Sequence, residues 1–514
     1  METYGFLSVL PPLLAIVLSV ITKNVLISLF LGLFLGTTIL ANWNPFNGYF
    51  IFLKDFIFQQ VTDSYNAQSL VMMLIIGAFV ALMTRSGASI AFSKTVSRWV
   101  NSKAKAETAA FLGGLIIWFS DSANAMLVGP IVQPVCDRMK VSREKLAWVL
   151  DATASPICSL IPIISWGVYI MGIIAKQFQE LKYTGMTDWQ AFVGMVPFQF
   201  YAWLALALCG LTCVTRWDFG PMLRAELRAD GGKLLRDGAK PLRSDKQIEI
   251  PEGAEPKVRT MVLSILALFA VMFFIFIRQG FPFQPLKGPF IRVGIGCGFS
   301  AAAFVCIALS IKDKIMTFEK ALETVMEGMS GMVYMMVVMV FAWSLGSLCG
   351  KLGTAKYIVE VTKGFLHPAV VPVVLFLVAC AMSLATGSSW GPYAILLPIG
   401  SPMSLQLGSP MLVTIASIIS GGLFGDHCSP LSDTTIQASM GAACDHIDHF
   451  RTQFPYALLA AAVSAVLFAI AGFVQIQWLF VVGIVAVAVL QFLIHKWDKA
   501  RLAGEIGAGV SVDR

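Results

Sequence analysis

The chain has 514 residues, of which 57% are hydrophobic and only 13% are charged, and its mean hydropathy is +0.76. A soluble globular chain is about half apolar and about a quarter charged. The composition therefore excludes a soluble enzyme or binding domain and predicts an all-α polytopic membrane protein. The net charge of +7 indicates membrane topology, because the basic residues cluster in loops. We expect membrane lipid as a partner and no nucleic acid.

Apolar segments long enough to cross a bilayer, about 20 residues as a helix, recur along the chain. Two further apolar regions, 107–135 and 369–406, have a polar break in the middle, and each half is too short to cross alone. We interpret both as re-entrant helical hairpins, with tips near residues 121–124 and 386–390. About eleven full spans are predicted at residues 5–22, 25–41, 68–86, 146–175, 190–214, 260–277, 290–311, 328–349, 410–436, 454–473 and 476–495.

Basic residues mark one side of the membrane. Loops 87–106, 136–145 and 216–259 are all rich in Lys and Arg, whereas residues 42–67 hold one Lys and no Arg. Since cytoplasmic loops carry the excess of Lys and Arg, the N-terminus is predicted outside and the C-terminus inside. Residues 216–259 contain no apolar run and are predicted to be a solvated cytoplasmic linker.

Two short polar stretches lie inside apolar segments and resemble each other. One is Asp-Ala-Thr-Ala-Ser-Pro at 151–156, and the other is Asp-His-Cys-Ser-Pro at 426–430. Polar residues at membrane depth are tolerated where they line a cavity or ion path. Their recurrence predicts a secondary transporter built from inverted repeats with broken helices. The predicted units are repeat 1–215 (hairpin 107–135, broken helix 146–175), linker 216–259, repeat 260–475 (hairpin 369–406, broken helix 410–440) and an extra helix with tail, 476–514.

The polar residues of these stretches are the candidate ion or substrate ligands. A hard cation such as Na⁺ takes oxygen ligands, and the strongest sodium candidates are Asp121, Asn124, Asp151 and Asp426. Burial disfavours the charged form of a carboxylate, so one aspartate could hold either Na⁺ or a proton. The transported species are then Na⁺ and H⁺, and no cofactor is expected. The full candidate set is Ser120, Asp121, Asn124, Asp151, Thr153, Ser155, Thr386, Ser388, Ser389, Asp426, His427, Ser429, Ser432, Asp433 and Thr434.

Some of these residues have a structural explanation as well. Asp433 could simply cap a helix, and His427 could relay protons or be a structural histidine. The run Cys-Asp-His-Ile-Asp-His at 444–449 lacks the spacing of a zinc site. Hydrogen bonding at a helix end, or proton entry, fits that run better.

The two polar stretches and their surroundings resemble the NhaC-type sodium/proton antiporter family of the ion-transporter superfamily. The motifs that carry the resemblance are Gly-Asp-His-Cys-Ser-Pro-Leu-Ser-Asp-Thr-Thr at 425–435, the run at 444–449, Val-Ser-Arg-Glu-Lys-Leu-Ala at 141–147 with 151–156, Ala-Trp-Ser-Leu-Gly at 342–346 and Ala-Thr-Gly-Ser-Ser-Trp-Gly at 385–391. The resemblance covers about residues 8–460. It implies paired hairpins, inverted repeats and exchange of Na⁺ for protons at a bacterial inner membrane, and dimers are typical of the superfamily.

The first hairpin tip departs from the family pattern. Where the family usually has two adjacent acids, two aromatics and then Asn, this chain has Ser120, Asp121, Ser122, Ala123 and Asn124. Loss of an acid and two rings would leave room beside an ion site. Two functions are therefore predicted: Na⁺/H⁺ antiport by alternating access, and sodium-coupled transport of a small amino or carboxylic acid. An intramembrane enzyme is disfavoured, since the chain has no His-Glu-x-x-His motif, and a channel suits the inverted hairpins less well.

Overall fold

The computed structural model describes residues 4–22, 24–88, 91, 100–242, 255–281, 288–362 and 367–507. Every regular element of these ranges is a helix and none is a strand, which confirms the predicted all-α fold class. Nine helices of the described part are long and apolar enough to cross a membrane, or up to eleven if each of two bent pairs is one span. The protein is therefore a multi-pass membrane protein.

The described residues up to Asp230 form twelve helices. Helix α3 contains a π-helical stretch at Phe52–Phe58. The helices are α1 Leu10–Thr22, α2 Val25–Leu40, α3 Pro45–Thr62, α4 Ser64–Arg85, α5 Lys103–Ile116, α6 Asp121–Arg138, α7 Arg143–Ala152, α8 Ser155–Leu160, α9 Ser165–Glu180, α10 Asp188–Met195, α11 Phe200–Thr215 and α12 Gly220–Asp230.

Two predicted spans and one predicted loop differ from the structure. Helix α1 has only 13 residues, shorter than the predicted 5–22. Part of the predicted external loop 42–67 is helix α3, which turns 111° from α2. The predicted span 190–214 is interrupted by a 3₁₀ turn at Val196–Phe198, where Pro197 begins a new segment. Proline lacks the N–H that continues a helix, so the long helix starts only at Phe200.

The described residues of the second half form eleven helices. In the first half, the broken helix has a further break at residues 161–164, between α8 and α9. This break bends the helix by 41°, which the sequence did not predict. The helices of the second half are α13 Val258–Arg278, α14 Gly288–Lys312, α15 Phe318–Gly331, α16 Val333–Leu352, α17 Thr354–Thr362, α18 Val371–Thr386, α19 Trp390–Leu407, α20 Met411–Cys428, α21 Asp433–Gly441, α22 His446–Phe473 and α23 Leu479–Gly507.

The region 369–406 is a pair of packed helices, α18 and α19, joined at the tip where Gly387 adopts a left-handed conformation with φ +67°. A Cβ on Gly387 would lie 2.5 Å from the Leu431 backbone, so only glycine fits this close approach. The claim that each half is too short to cross is wrong for the first half, because Pro368–Thr386 is long and apolar enough to span.

The prediction that residues 216–259 form a solvated linker is wrong for residues 220–230, which form helix α12. Helix α12 buries Met222 and Glu226 and packs against α7 and α22. Glu226 accepts a hydrogen bond from the backbone N–H of Ser142, 2.9 Å away, and pairs with Lys103 at 2.7 Å. The segment therefore carries a buried helix that a polar composition does not reveal. Residues 243–254 lie outside the described part.

The two breaks meet in the core. Helix α8 packs against α20, and α21 packs against both α6 and α7. The crossing of α6 and α21 is tight, because a Cβ on Gly129 would lie 2.5 Å from the Gly441 backbone. Residues from both halves of the chain therefore line one polar region.

Candidate ion-binding site

Asp426 lies at the end of α20, where the helix stops before Pro430. Because proline cannot continue the helical hydrogen bonds, the chain turns there and Ser432 caps the next helix, α21. The Asp426 carboxylate accepts hydrogen bonds from Ser155 Oγ, 2.9 Å from Oδ2, and from Ser432 Oγ, 3.0 Å from Oδ1. The two breaks, far apart in sequence, thus share one carboxylate.

Two more hydroxyls extend this group. Thr434 Oγ1 lies 2.9 Å from Ser432 Oγ, and Ser389, at the tip between α18 and α19, also interacts with the Asp426 carboxylate. Ser389 in addition donates to the Gly422 carbonyl at 3.3 Å. These five residues are called the Asp426 cluster: Asp426, Ser155, Ser432, Thr434 and Ser389.

Asp151, next to the last residue of α7, has a different environment. It is fully buried, and Gln453 Nε2 of α22 donates to its Oδ2 at 2.9 Å. His449 Nε2 lies 3.9 Å from the same oxygen. Oδ1 has no hydrogen-bond partner among the described residues. One oxygen of this buried carboxyl thus accepts from an amide N–H, and the Thr434 and Thr435 hydroxyls also interact with the carboxyl.

Asn124 joins the first hairpin to the break after α7. Its Nδ2 donates to the carbonyl oxygens of Gly114, at 2.7 Å, and Thr153, at 2.8 Å. The approach is close, since a Cβ on Gly114 would lie 2.0 Å from Thr153 Oγ1. Asn124 Oδ1 is buried without a partner in the described part of the chain. The Thr153 hydroxyl itself is held by the Val149 carbonyl at 2.8 Å.

The tip of the first hairpin lies beside two tryptophans. Asp121 Oδ2 accepts from Trp166 Nε1 at 3.1 Å, and the ring of Trp166 packs 4.6 Å from that of Trp390. Asp121 begins α6 directly after Ser120, and it interacts electrostatically with Asp426. The side chains of residues 122 and 123, whose small size motivated the organic-solute prediction, lie outside the described residues.

His427 points away from the Asp426 cluster. Its Nδ1 lies 2.8 Å from the hydroxyl of Tyr201, and its buried Nε2 has no partner among the described residues. Its carbonyl oxygen accepts from Gln453 Nε2. His427 therefore connects the broken end of α20 with α11 and α22.

Four other predicted residues, Thr386, Ser388, Ser429 and Asp433, make their described contacts elsewhere. Thr386 donates to the Met382 carbonyl at 2.9 Å and Ser429 to the Leu384 carbonyl at 2.9 Å. The Ser388 hydroxyl accepts from the backbone of Trp390 at 3.3 Å. Asp433 is exposed at the first position of α21. These contacts shape the two breaks.

Three contributors escaped the sequence analysis. Gln453, His449 and Tyr201 all contact Asp151 or His427 although they belong to ordinary helices. The run at 444–449 was noted for its histidines, but nothing in the sequence placed α22 beside α7. One feature of the sequence could have indicated them: Gln453 is a polar residue one turn after His449 in the otherwise apolar helix α22.

The two carboxylates differ in which species they suit. Na⁺ binds lone pairs on oxygen, and the Asp426 cluster offers a carboxylate and four hydroxyls. At Asp151 the Gln453 side chain of α22 donates an N–H, which cannot ligate a cation, beside the hydroxyls of Thr434 and Thr435. The donor set thus fits Na⁺ at Asp426 and a proton at Asp151.

Comparison with known proteins agrees with this organisation. The family model described as the Na⁺/H⁺ antiporter family matches residues 157–473. An uncharacterised protein of Haemophilus influenzae is 31% identical over 482 residues, 91% of each chain. The malate-2H⁺/Na⁺-lactate antiporter of Bacillus subtilis is 27% identical over 36% of this chain and 39% of its own.

A solved transporter shares the fold. The YdaH transporter of Alcanivorax borkumensis superimposes with a TM-score of 0.59 at 16% identity, over 83% of this chain and 88% of that chain. At this identity the likeness concerns the fold alone. From the family model and the full-length relative, the chain belongs to the Na⁺/H⁺ antiporter family.

Proposed function

We propose that this protein exchanges Na⁺ for protons across a bacterial inner membrane, with Asp426 holding Na⁺ and Asp151 carrying the proton. The observation that carries the proposal is the contrast between the two buried carboxylates. In the described chain the side chains that bond Asp426 are the hydroxyls of Ser155, Ser432 and Ser389. Asp151 instead accepts an N–H from Gln453, beside the hydroxyls of Thr434 and Thr435.

The proximity of the carboxylates supplies the coupling. Asp151 and Asp426 interact electrostatically inside the protein. Two buried negative charges repel each other strongly in a low dielectric, so without a cation one of them takes up a proton. Sodium at Asp426 neutralises one charge and allows Asp151 to release its proton. Binding of Na⁺ and of H⁺ thus exclude each other, as antiport requires.

The position of the Asp426 cluster suits alternating access. Its ligands come from α8 in the first half and from α20, α21 and the α18–α19 tip in the second. A movement between the predicted inverted repeats would change which side of the membrane reaches the ion. The four predicted units and their inversion belong to this proposal, as does the cytoplasmic position of the C-terminus.

Purified protein in liposomes loaded with a pH dye tests the function. An inward Na⁺ gradient should alkalinise the lumen with no organic solute present, because protons leave as Na⁺ enters. Asp426→Asn should abolish both this flux and Na⁺ protection against thermal unfolding. Asp151→Asn should abolish the flux but keep Na⁺ protection, and that protection should no longer depend on pH. Asp237→Asn, a change in an exposed ion pair with Lys233, is the matched control.

A second candidate function is sodium-coupled exchange of a small carboxylic acid. A cavity of about 350 Å³ lies between α9, α16 and α19, and Gln177 and Lys351 are among its lining residues. Gln177 Nε2 is buried without a partner in the described chain, and an amide N–H beside a lysine suits a carboxylate. The Bacillus subtilis relative carries malate and lactate. If Na⁺ alone moves no protons and added malate or lactate evokes uptake, this function replaces the first.

A further inference from the structure

Five side chains form a chain of polar contacts from a half-buried histidine to Asp151. Ser439 Oγ lies 3.2 Å from His446 Nδ1 and 2.8 Å from His449 Nδ1. His449 Nε2 lies 2.6 Å from Gln453 Oε1 and 3.9 Å from Asp151 Oδ2. His446 is partly exposed, while His449 and Asp151 are fully buried. The contacts thus lead from the protein's edge to the candidate proton carrier.

The partners of His446 fix its tautomer. Its Nε2 lies 2.8 Å from the carbonyl oxygen of Pro430, which can only accept a hydrogen bond. Nε2 of His446 therefore carries a hydrogen. In the neutral ring Nδ1 is then an acceptor, and the Ser439 hydroxyl is the group it faces.

The tautomer of His449 is fixed through Gln453. Both hydrogen bonds of Gln453 Nε2 go to acceptors, Asp151 Oδ2 and the carbonyl of His427, so its Oε1 must face His449 as an acceptor. Nε2 of His449 therefore carries a hydrogen, and its Nδ1 is an acceptor in the neutral ring. The Ser439 hydroxyl again is the donor that this nitrogen needs.

Ser439 has one hydrogen for these two ring nitrogens, and the Thr435 carbonyl, 2.8 Å away, is a third acceptor. With both rings neutral, at least one Nδ1 faces the serine oxygen without a hydrogen between them. One added proton removes this conflict. His446 Nδ1–H then donates to Ser439, and Ser439 donates to His449 Nδ1.

We propose that His446, Ser439 and His449 form a proton-binding site that exchanges protons between water and Asp151. A proton taken up at His446 Nδ1 passes to Ser439 Oγ as the serine hydrogen moves to His449 Nδ1. His449 Nε2–H then breaks and its proton bonds to Asp151 Oδ2, leaving a neutral ring and a neutral acid. When Asp151 releases a proton, the same transfers run in reverse and return the hydrogen to His449 Nε2, where it faces Gln453. One proton enters and one is delivered, and no other reactant is needed.

The charged groups near the relay pair with one another, so they compensate the charge of this proton only in part. Asp448 pairs with Arg236 at 3.1 Å, and Arg143 pairs with Asp137 at 2.7 Å while donating to the Ala442 carbonyl at 2.8 Å. Asp151 on α7 and His427 on α20 interact with His449. The neighbouring elements also carry Arg143 at the start of α7, Cys444 and Asp445 before α22, Asp448 on α22 and Arg236 after α12.

The inference rests on the proposed antiport. Failure of the relay and failure of the antiport can be distinguished by measuring proton release after rapid addition of Na⁺ to the detergent-solubilised full chain. A pH dye reads release by stopped flow, and Na⁺ protection against thermal unfolding reads ion binding. Ser439→Ala should slow release about 100-fold, the usual contribution of a positioned proton-transfer group, with Na⁺ protection unchanged. Ser439→Thr keeps the hydroxyl and should release protons at close to the normal rate.

His446→Gln gives a second variant, because its amide can still donate to Pro430 while it cannot take up a proton. It should flatten the pH dependence of the release rate and leave Na⁺ protection intact. Unchanged release in Ser439→Ala and His446→Gln would overturn the relay, as would equal slowing in Ser439→Ala and Ser439→Thr. If the unaltered protein releases no proton on addition of Na⁺, the antiport proposal itself fails instead.

Discussion

In the proposed sodium site, single hydroxyls set how tightly Asp426 holds the cation. Among the described residues of the first half, Ser155 hydrogen-bonds this carboxylate, at 2.9 Å. Ser155→Ala removes a bond to a charged group and an oxygen ligand, a loss of about 1.5 kcal/mol. The apparent Na⁺ affinity should fall about tenfold, measured as the Na⁺ concentration that gives half-maximal proton flux.

A buried serine elsewhere controls for that substitution. Ser401 Oγ is buried and has no partner in the described part of the chain, so Ser401→Ala should leave Na⁺ affinity unchanged. If Ser155→Ala and Ser401→Ala behave alike, the Asp426 cluster is not where Na⁺ binds.

Asp445 gives a residue-scale prediction about pH. Partial burial would raise the pKa of the Asp445 carboxyl, but hydrogen bonds from the backbone N–H groups of Lys240, Asp448 and Ile447 outweigh it and hold that pKa below its ordinary value. A lowered pKa stabilises the folded state above the unfolded pKa of about 3.8, and the contribution is lost as the pH falls through the folded pKa.

Two substitutions separate the cap from the charge. Asp445→Ala should cost about 1 kcal/mol of stability near neutral pH, as loss of a helix cap does. Asp445→Asn keeps an accepting oxygen and should lose less. It should also show a smaller drop in melting temperature than the unaltered protein between about pH 6 and about pH 3. An equal drop in both would mean that this carboxylate does not contribute.

At the scale of helices, the crossing of α6 and α21 depends on glycine. A Cβ on Gly129 would lie 2.5 Å from the Gly441 backbone, and one on Gly441 would lie 2.3 Å from the Ala125 carbonyl oxygen. Neither backbone can move aside as a side-chain end could. Gly129→Ala should therefore cost about 1–3 kcal/mol through overpacking and slow transport, measured by thermal unfolding and by proton flux.

Gly296 is the matched control for that helix crossing. It lies within α14, and a Cβ there would meet nothing within 4 Å. Gly296→Ala should be neutral or stabilise by about 0.5–1 kcal/mol, since alanine is the better helix former. Similar destabilisation in both variants would show that the crossing of α6 and α21 can relax.

The sequence predicts those features of the helices that are determined by neighbouring residues, and it misses those determined by distant ones. The breaks beside Asp151 and Asp426 are set by Pro156 and Pro430 in the same few residues, and both were found. Helix α12 was missed because its stability comes from partners that are distant in sequence. The buried Glu226 carboxylate pairs with Lys103 and accepts a hydrogen bond from the Ser142 N–H. Ser155 and Asp426 could be proposed as ligands because they lie within these local motifs. Gln453 and His449 could not be assigned to Asp151, because only the packing of α22 beside α7 brings them together.

At the scale of the whole molecule, the broken helices bring two distant parts of the chain to one ion site. Asp426 takes Ser155 from 271 residues away, and Asp151 takes Gln453 from 302 residues away. Each half alone would leave a carboxylate buried without its partner, which is costly. The proposed proton route and the proposed ion site therefore both require the two halves together, which gives a physical basis for coupling them.

The orientation of the molecule gives the last prediction. Residue 233 is exposed in a segment rich in Lys and Arg, and residue 47 is exposed on α3 in a segment with one Lys and no Arg. Since basic segments stay in the cytoplasm, Asn47→Cys should react with a membrane-impermeant thiol reagent in right-side-out vesicles. Lys233→Cys should react only after the vesicles are opened. Cys297 is the exposed cysteine of the described chain, and the other nine are buried, so both variants are made in a Cys297→Ser background. The reverse labelling would place the His446 end of the proton route outside, and protons would then enter the relay from the external face.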